Sequence, residues 1–280
     1  MSDRPAPSVN VAPETILFLL IPDFSLIAFT SAIEPLRIAN RLAGKQLYHW
    51  TLVSREGSPV AASSGVVLQA DAAIGGMEPT AGRIPPAIVL CGGLGSEHYQ
   101  DREVFGWLRR WDRRGAQLGA ICTGAHVLAR AGLLDGHRCT IHWENLPGFV
   151  EAFPEIQVSS DLYEIDGSRF TCSGGTAALD LLIAWLAREH GDAVVAPLLS
   201  HFGLERLRAR DERQIAPVAA SAATPISSAG TAPPNPSAIR RVMPVTCLIA
   251  RGSIRSWYQG FPTTPAKTIS AELRCSISST

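Results

Sequence analysis

The sequence predicts an α/β domain with a largely parallel sheet over residues 14–192. Two observations predict this class. Short apolar runs alternate with amphipathic stretches, which is the pattern of strands connected by helices. Apolar residues make up 46% of the 280 residues and charged residues only 18%, so the chain can bury a sizeable core.

The individual elements can be read from this pattern in chain order. The predicted strands cover residues 15–21, 50–54, 66–69, 87–91, 117–121 and 138–142. The predicted helices cover residues 25–42, 97–114, 124–131 and 175–190, followed by a linker helix over 193–214. Asp166-Gly167 separates two short apolar runs and predicts a hairpin, because Asp-Gly supplies the positive φ of a tight turn.

The two ends of the chain have a different composition. Residues 1–13 are expected to be a flexible lead-in. Of the 66 residues from 215 to 280, 36 are Ala, Ser, Pro or Thr, and no helical apolar period persists there. Such a low-complexity tail is predicted to be disordered.

Charge and cysteine content exclude several classes of protein. Basic and acidic residues number 25 each, so no global charge favours nucleic acid. The tail carries six basic residues and one acidic residue, which leaves the rest of the chain acidic. Six cysteines without C-x-x-C spacing argue against zinc clusters and a disulfide scaffold, and no metal or cofactor is predicted. No apolar run, including that over 16–21, is long enough to span a bilayer, so we expect a cytoplasmic protein without a membrane partner.

The segment around Cys122 is the most informative for chemistry. An apolar strand leads directly into Cys122-Thr123-Gly124 and then into a predicted helix. Such an elbow places a side chain at the carboxyl edge of a parallel sheet, where open α/β folds bind ligands. A helix N-terminus stabilises a thiolate, although a buried and inert cysteine explains the local pattern equally well.

Other polar residues are expected at the same edge. Gly92 and Gly93 come directly after a strand and allow backbone N–H groups to approach a ligand. Glu34 is a carboxylate within an apolar helical stretch, so it lies at the solvent edge or has a polar partner. His142-Trp143-Glu144 closes a predicted strand, where a structural histidine is the more common case.

Together these segments resemble the ThiJ/PfpI superfamily, a class I glutamine amidotransferase-like group with a flavodoxin-like α/β sandwich. The resemblance lies in residues 16–22, 87–93, 119–124 and 140–143, together with Glu34. It implies a reactive elbow cysteine, here Cys122, that shares a hydrogen bond with a first-helix glutamate, here Glu34. Enzymes of the superfamily often carry His directly after the cysteine; here Thr123 stands there, which leaves His142 as the candidate base.

A narrower resemblance, over about 14–214, is to the GlxA-type transcriptional regulators of the AraC family. It rests on the runs 140–145, 152–155 and 170–180 and on the charged segment 208–214. It implies a dimeric sensory domain for a small metabolite, in a subgroup typified by regulators of carnitine, glycine-betaine and arginine catabolism. Members continue into a helix-turn-helix domain that binds DNA, whereas this chain continues into the low-complexity tail; a truncation or frameshift is our hypothesis for this difference.

These resemblances imply two functions. The first is the ligand-sensing domain of such a regulator, unable to bind DNA specifically by itself. Its ligand would be a quaternary amine or an amino acid, held by the residues Glu34, Gly92, Gly93, Cys122, Thr123, His142, Trp143 and Glu144. The alternative is a cysteine-dependent hydrolase, hydratase or glyoxalase-like enzyme with Cys122, Glu34 and His142 as catalytic residues and His126 as a second candidate base.

Overall fold

The apolar runs form strands in the computed structural model, which describes residues 13–79 and 87–214. The strands, in chain order, are β1 (Glu14–Leu20), β2 (Tyr48–Ser54), β3 (Val60–Ala61), β4 (Val67–Leu68), β5 (Ala72–Ala73), β6 (Ala87–Cys91), β7 (Gln117–Ile121), β8 (Arg138–Thr140), β9 (Gln157–Ser159), β10 (Tyr163–Asp166) and β11 (Arg169–Cys172). The helices are α1 (Leu26–Ala43), α2 (Arg102–Asp112), α3 (Ala125–Arg130), α4 (Leu146–Ala152), α5 (Ala177–His190) and α6 (Val195–Phe202).

The main sheet has seven strands in the order β10-β11-β7-β6-β1-β2-β5. All neighbours in it are parallel except β10 and β11, which form the antiparallel hairpin predicted at Asp166-Gly167. Because parallel strands need crossover connections, helices cover both faces of the sheet. The fold is the flavodoxin-like α/β sandwich expected from the sequence.

Two apolar clusters fill the space between the sheet and its helices. On one face, α1 and α5 pack on the sheet through residues such as Phe29 and Leu182. On the other face, α2, α3 and α4 contribute Trp107, Val127 and Phe149, all fully buried. The central strands are buried on both faces, which explains why they are apolar along their whole length.

Polar residues determine where the main helices begin and end. Ser25 caps α1 by accepting the N–H of Ala28, and Gly44 ends this helix in the left-handed conformation with φ 63°. Asp101 accepts the N–H groups of Glu103 and Val104 and therefore starts α2 five residues later than its apolar pattern predicts. Residues 96–98 form a separate 3-10 turn before this helix.

Three predicted elements differ from the structure. The strand predicted over 138–142 is β8, which pairs only with β9 in a separate two-stranded sheet, because Thr140 gives its N–H to the Thr171 hydroxyl. The strand predicted over 66–69 is β4, half of a small hairpin with β3. The helix predicted over 193–214 is wrong beyond residue 202: α6 ends at Gly203, whose φ of 66° is left-handed, and 203–214 is non-helical chain.

Two further expectations fall largely or wholly outside the part of the chain that the structure describes. These are the lead-in over 1–13, of which only Pro13 is described, and the low-complexity tail over 215–280. Within the described ranges, no helix combines the length and apolar character needed to cross a membrane.

Candidate functional site

The site lies at the carboxyl edge of four neighbouring strands. Leu20, Cys91, Ile121 and Cys172 occupy one row across β1, β6, β7 and β11. The residues directly after them therefore emerge together at this edge, as the sequence predicts for parallel strands.

Cys122 lies on a strained elbow at this edge. It comes directly after β7 and begins a 3-10 turn that leads into α3. Its φ is 59°, a left-handed conformation that is uncommon for a residue with a side chain. Such strain persists only where the surrounding packing enforces it, and it is common at functional sites.

Glycines allow the chain to pack closely around this elbow. A Cβ on Gly174, just after β11, would lie 2.8 Å from both the Cα and the Cβ of Cys122. A Cβ on Gly92 would lie 2.3 Å from the backbone nitrogen of Gly124. Both positions therefore require glycine, and the elbow is held from two sides by backbone rather than by side chains.

The Cys122 thiol is a neutral group. Burial raises its pKa above the ordinary value, and the charge of Glu144 raises it further. The neighbouring polar groups of Thr123 and Ser25 lower the pKa but do not outweigh burial. Since an ordinary thiol already titrates above pH 8, Cys122 is protonated at neutral pH.

A cavity of about 210 Å³ opens above this thiol. Its lining comes from five segments of the chain: Ser25, Ser63, Gly93, Leu94, Gly95, Glu97, Cys122, Thr123, His142, Glu144 and Asn145. Thr123 Oγ1 donates to the Gly93 carbonyl at 2.5 Å and so fixes the elbow to the loop after β6.

The cavity has an acidic lining. The Glu97 and Glu144 side chains are 37% and 63% exposed, and each carboxylate lies within 4 Å of a histidine ring nitrogen, that of His98 and that of His142 respectively. No lysine or arginine lines the cavity in the described part of the chain. The arrangement therefore favours a cationic ligand on electrostatic grounds.

His142 is engaged with its own loop rather than with the thiol. Its Nδ1 accepts the N–H of Glu144 at 3.4 Å and lies 3.7 Å from the Glu144 carboxylate. The ring of Trp143 packs at 5.7 Å from the imidazole, measured between ring centroids. The structure thus places His142 and Glu144 in the lining, while Trp143 supports His142 from outside it.

Glu34 is the clearest correction to the predicted site. It lies on α1 and pairs with Arg37 at 2.5 Å, with 39% of its side chain exposed. Nine residues separate it from the helix cap at Ser25, which corresponds to about 13 Å along the helix axis. The expected pairing of Glu34 with Cys122 is therefore wrong, because the Glu34 carboxylate is engaged with Arg37 away from the elbow.

His126 also lies elsewhere. It is 3% exposed and packs between Phe149 and Phe153 of the α4 region, with ring centroids 5.0 and 6.2 Å away. Burial and the charge of Arg130 lower the pKa of His126 to about 4. His126 is thus packed against aromatic rings and is not among the residues that line the cavity.

Of the remaining predicted residues, Gly93, Cys122 and Thr123 line the cavity, whereas Gly92 lies just beneath it against Gly124. The sequence did not predict the part played by Ser25, Ser63, Leu94, Gly95, Glu97, Asn145 and Gly174. A signal existed for Ser25, because a helix cap directly after β1 must lie at the carboxyl edge. The helix predicted over 97–114 includes Glu97, which lies instead in the turn before α2.

Sequence and structure comparisons place the fold in a defined class. Residues 14–188 match the DJ-1/PfpI family, which is more than half of the chain, so the chain belongs to this family.

The relatives include regulators. The chain is 42% identical over 212 residues to the HTH-type transcriptional regulator GbdR of Pseudomonas aeruginosa, covering 76% of this chain and 56% of the relative. It is also 42% identical over 197 residues to the HTH-type transcriptional regulator CdhR of the same species, covering 70% and 57%. The chain thus spans little more than half the length of these relatives. A solved AraC family transcriptional regulator from Pseudomonas putida is 26% identical, with a TM-score of 0.61 over 68% of this chain and 100% of that one.

Proposed function

We propose that this chain is the ligand-sensing domain of a GlxA-type, AraC-family transcriptional regulator and that its pocket binds a small cationic metabolite without turning it over. In this proposal residues 14–192 form the sensing domain and residues 193–214 connect it to the chain beyond residue 214. The observation that carries it is the cavity with two carboxylates in its lining, built directly on the Cys122 elbow. The similarity to HTH-type regulators supports the regulatory role.

Two features favour binding over catalysis. The Cys122 thiol is protonated at neutral pH, whereas nucleophilic catalysis needs the thiolate. The two predicted proton acceptors are engaged elsewhere in the described part of the chain: His142 accepts the N–H of Glu144, and Glu34 pairs with Arg37.

The lining suggests the class of ligand. Glu97 and Glu144 supply two carboxylates, and the small volume suits a ligand of the size of a quaternary amine or a compact amino acid. A positive group beside these carboxylates would gain coulombic attraction, which solvent partly screens because both side chains are partly exposed. In this proposal DNA binding needs the additional length of the HTH-type relatives, and a cytoplasmic location agrees with the regulatory role.

A binding titration tests the proposal. Choline, glycine betaine, carnitine and arginine are titrated into the full chain and the shift in melting temperature is recorded, since a ligand of the folded state raises stability. We expect at least one compound to stabilise the protein, and Glu144→Gln and Glu97→Gln to weaken its binding about tenfold each, about 1.4 kcal/mol. Glu34→Gln is the matched control and should leave binding unchanged, because Glu34 pairs with Arg37 on an exposed helix face.

The proposal also includes a homodimer. Ile27, Val67 and Leu94 are 57, 59 and 71% exposed, and they belong to segments that meet at the backbone of Phe24. Large exposed apolar side chains on neighbouring segments favour a protein contact, here with a second copy of the chain. Sedimentation equilibrium should give twice the chain mass for the wild type and a lower mass for Leu94→Asp; a monomeric wild type would contradict this part.

The alternative function is a cysteine-dependent enzyme, and one observation favours it. The positive φ of Cys122 aims its side chain at the cavity that His142 also lines, as in a nucleophile elbow. Turnover of an aldehyde, amide or isonitrile that is lost in Cys122→Ala would establish this function in place of the first.

A further inference from the structure

The chain after α6 runs back across the domain as a strap, which we define as residues 206–214. It contacts three parts of the fold in succession: the start of α5, the hairpin strand β10 and the loop after β8. Each contact uses charged or hydrogen-bonding groups that are buried or half-buried. None of these side chains lines the pocket.

The first contact fixes the start of α5. The Arg208 guanidinium and backbone N–H donate to the two oxygens of Asp180, with its Nε and N each 3.0 Å away. Asp180 is only 3% exposed, so its charge depends on this partner. The same guanidinium donates to Thr176 Oγ1 at 2.9 Å, two residues after Gly174 and its close contact with Cys122.

The second contact joins the strap to β10. Glu164 is 1% exposed, and its carboxylate forms ion pairs with Arg138 at 2.6 Å and with Arg210 of the strap at 3.4 Å. The Leu162 N–H donates to the carbonyls of Arg210 and Glu212 at 3.0 and 3.1 Å. Exchange of this amide proton therefore reports whether the strap is docked.

The third contact holds the loop after β8, which carries His142 and Glu144 of the cavity lining. Gln214 Nε2 donates to the Ile141 carbonyl at 2.8 Å, to Thr140 Oγ1 at 3.1 Å and to the Asp161 carbonyl at 3.2 Å. Ile141 directly precedes His142, which lines the cavity together with Glu144. The two ends of the strap thus hold both sides of the pocket: the Gly174 side through α5 and the His142 side through Ile141.

We propose that this strap couples the pocket to the chain beyond residue 214. When the strap is docked, it holds the walls of the pocket in the positions seen in the structure. A group that fills the pocket favours detachment of the strap from the domain. Coupling of this kind is reciprocal, so a change at either end must appear at the other. The signalling role of the strap rests on the proposed sensing function, whereas the coupling itself rests on the contacts alone.

The test uses alkylation of Cys122 by iodoacetamide in the full chain, monitored residue by residue with peptide mass spectrometry. Gln214→Met removes the amide donors at nearly constant size, and Arg208→Lys keeps the charge but loses the forked geometry. We expect each variant to speed alkylation of Cys122 about fivefold or more, which corresponds to the lower end of typical coupling. Cys91 is fully buried in β6, so its unchanged alkylation rate shows that the whole domain has not loosened.

The reciprocal measurement is hydrogen exchange of the Leu162 amide. We expect the carbamidomethylated wild type to exchange this proton several-fold faster than the unmodified protein. Arg37→Met, on the exposed face of α1, is the matched control and should alter neither rate. The coupling would be overturned if the alkylation rate of Cys122 and the exchange rate of the Leu162 amide both stayed unchanged. It would also be overturned if the alkylation of Cys122 and that of Cys91 became faster together.

Iodoacetamide, rather than a metabolite, is the probe in these measurements, so the alkylation and exchange rates are independent of the ligand titration. A chain that binds none of the tested compounds but shows the selective acceleration would refute the proposed ligand and retain the strap.

Discussion

At the scale of single residues, the proposed function depends on how Cys122 is held. Its backbone lies against Gly174, and the Thr123 hydroxyl beside it donates to the Gly93 carbonyl, which fixes the elbow to the loop after β6. The sequence pointed to this cysteine at the cavity but paired it with Glu34. That error has a physical cause: a helix repeats every 3.6 residues, so an acidic residue in the right helix can still lie two turns away from the site.

Gly174 provides a test at this scale. Gly174→Ala should destabilise the protein by about 2 kcal/mol or more, because φ is 92° and the new Cβ would collide with the backbone of Cys122. Gly175→Ala is the matched control: its φ is 57°, but no atom lies within 4 Å of the added carbon, so only about 1 kcal/mol is expected. Urea unfolding of the two variants measures the difference, and equal losses would contradict the close contact at Cys122.

At the scale of elements, the apolar pattern of the sequence predicts the positions of strands and helices best where the element is buried along its whole length. The strands β1, β6 and β7 and the helices α1 and α5 all lie where the apolar pattern placed them, because each buries a face along its whole length. The short strands β3 and β5 have two residues each and carry no periodicity to detect, whereas the equally short β4 lies within the strand predicted over 66–69. The docking of the strap could not be predicted from the sequence, because its ion pairs join residues that are separated by 28 and by 46 positions along the chain.

The contact of α3 with α4 gives a prediction about pH. The pKa of His126 is about 4 in the folded protein and about 6.5 in an unfolded chain, so the unfolded state binds the proton first. Stability is therefore complete above about pH 6.5 and falls as the pH drops toward 4, by about 3 kcal/mol. His126→Leu should flatten this part of the stability profile, measured by urea unfolding between pH 7 and pH 4.

His98→Leu is the control for that profile, because the His98 side chain is 85% exposed. It should lose stability in acid as the wild type does. An unchanged acid profile in His126→Leu would show that His126 does not titrate between these values.

At the scale of the whole molecule, the fold brings five separate segments to one edge of the sheet and gives them a common acidic cavity. The sequence predicts this edge from the parallel strands and the position of the elbow. It does not predict which side chains converge there, because Glu97 and Ser63 lie in short turns whose positions depend on tertiary packing. The strap adds a route from this cavity to the end of the described chain.

The most direct test of the proposed function is isothermal titration of the best-stabilising compound into the wild type and Cys122→Ala. We predict saturable binding with no product formed, and affinities that agree within about threefold, since the neutral thiol shapes the cavity without reacting. Product formation that disappears in Cys122→Ala would contradict a sensing role and make the protein an enzyme.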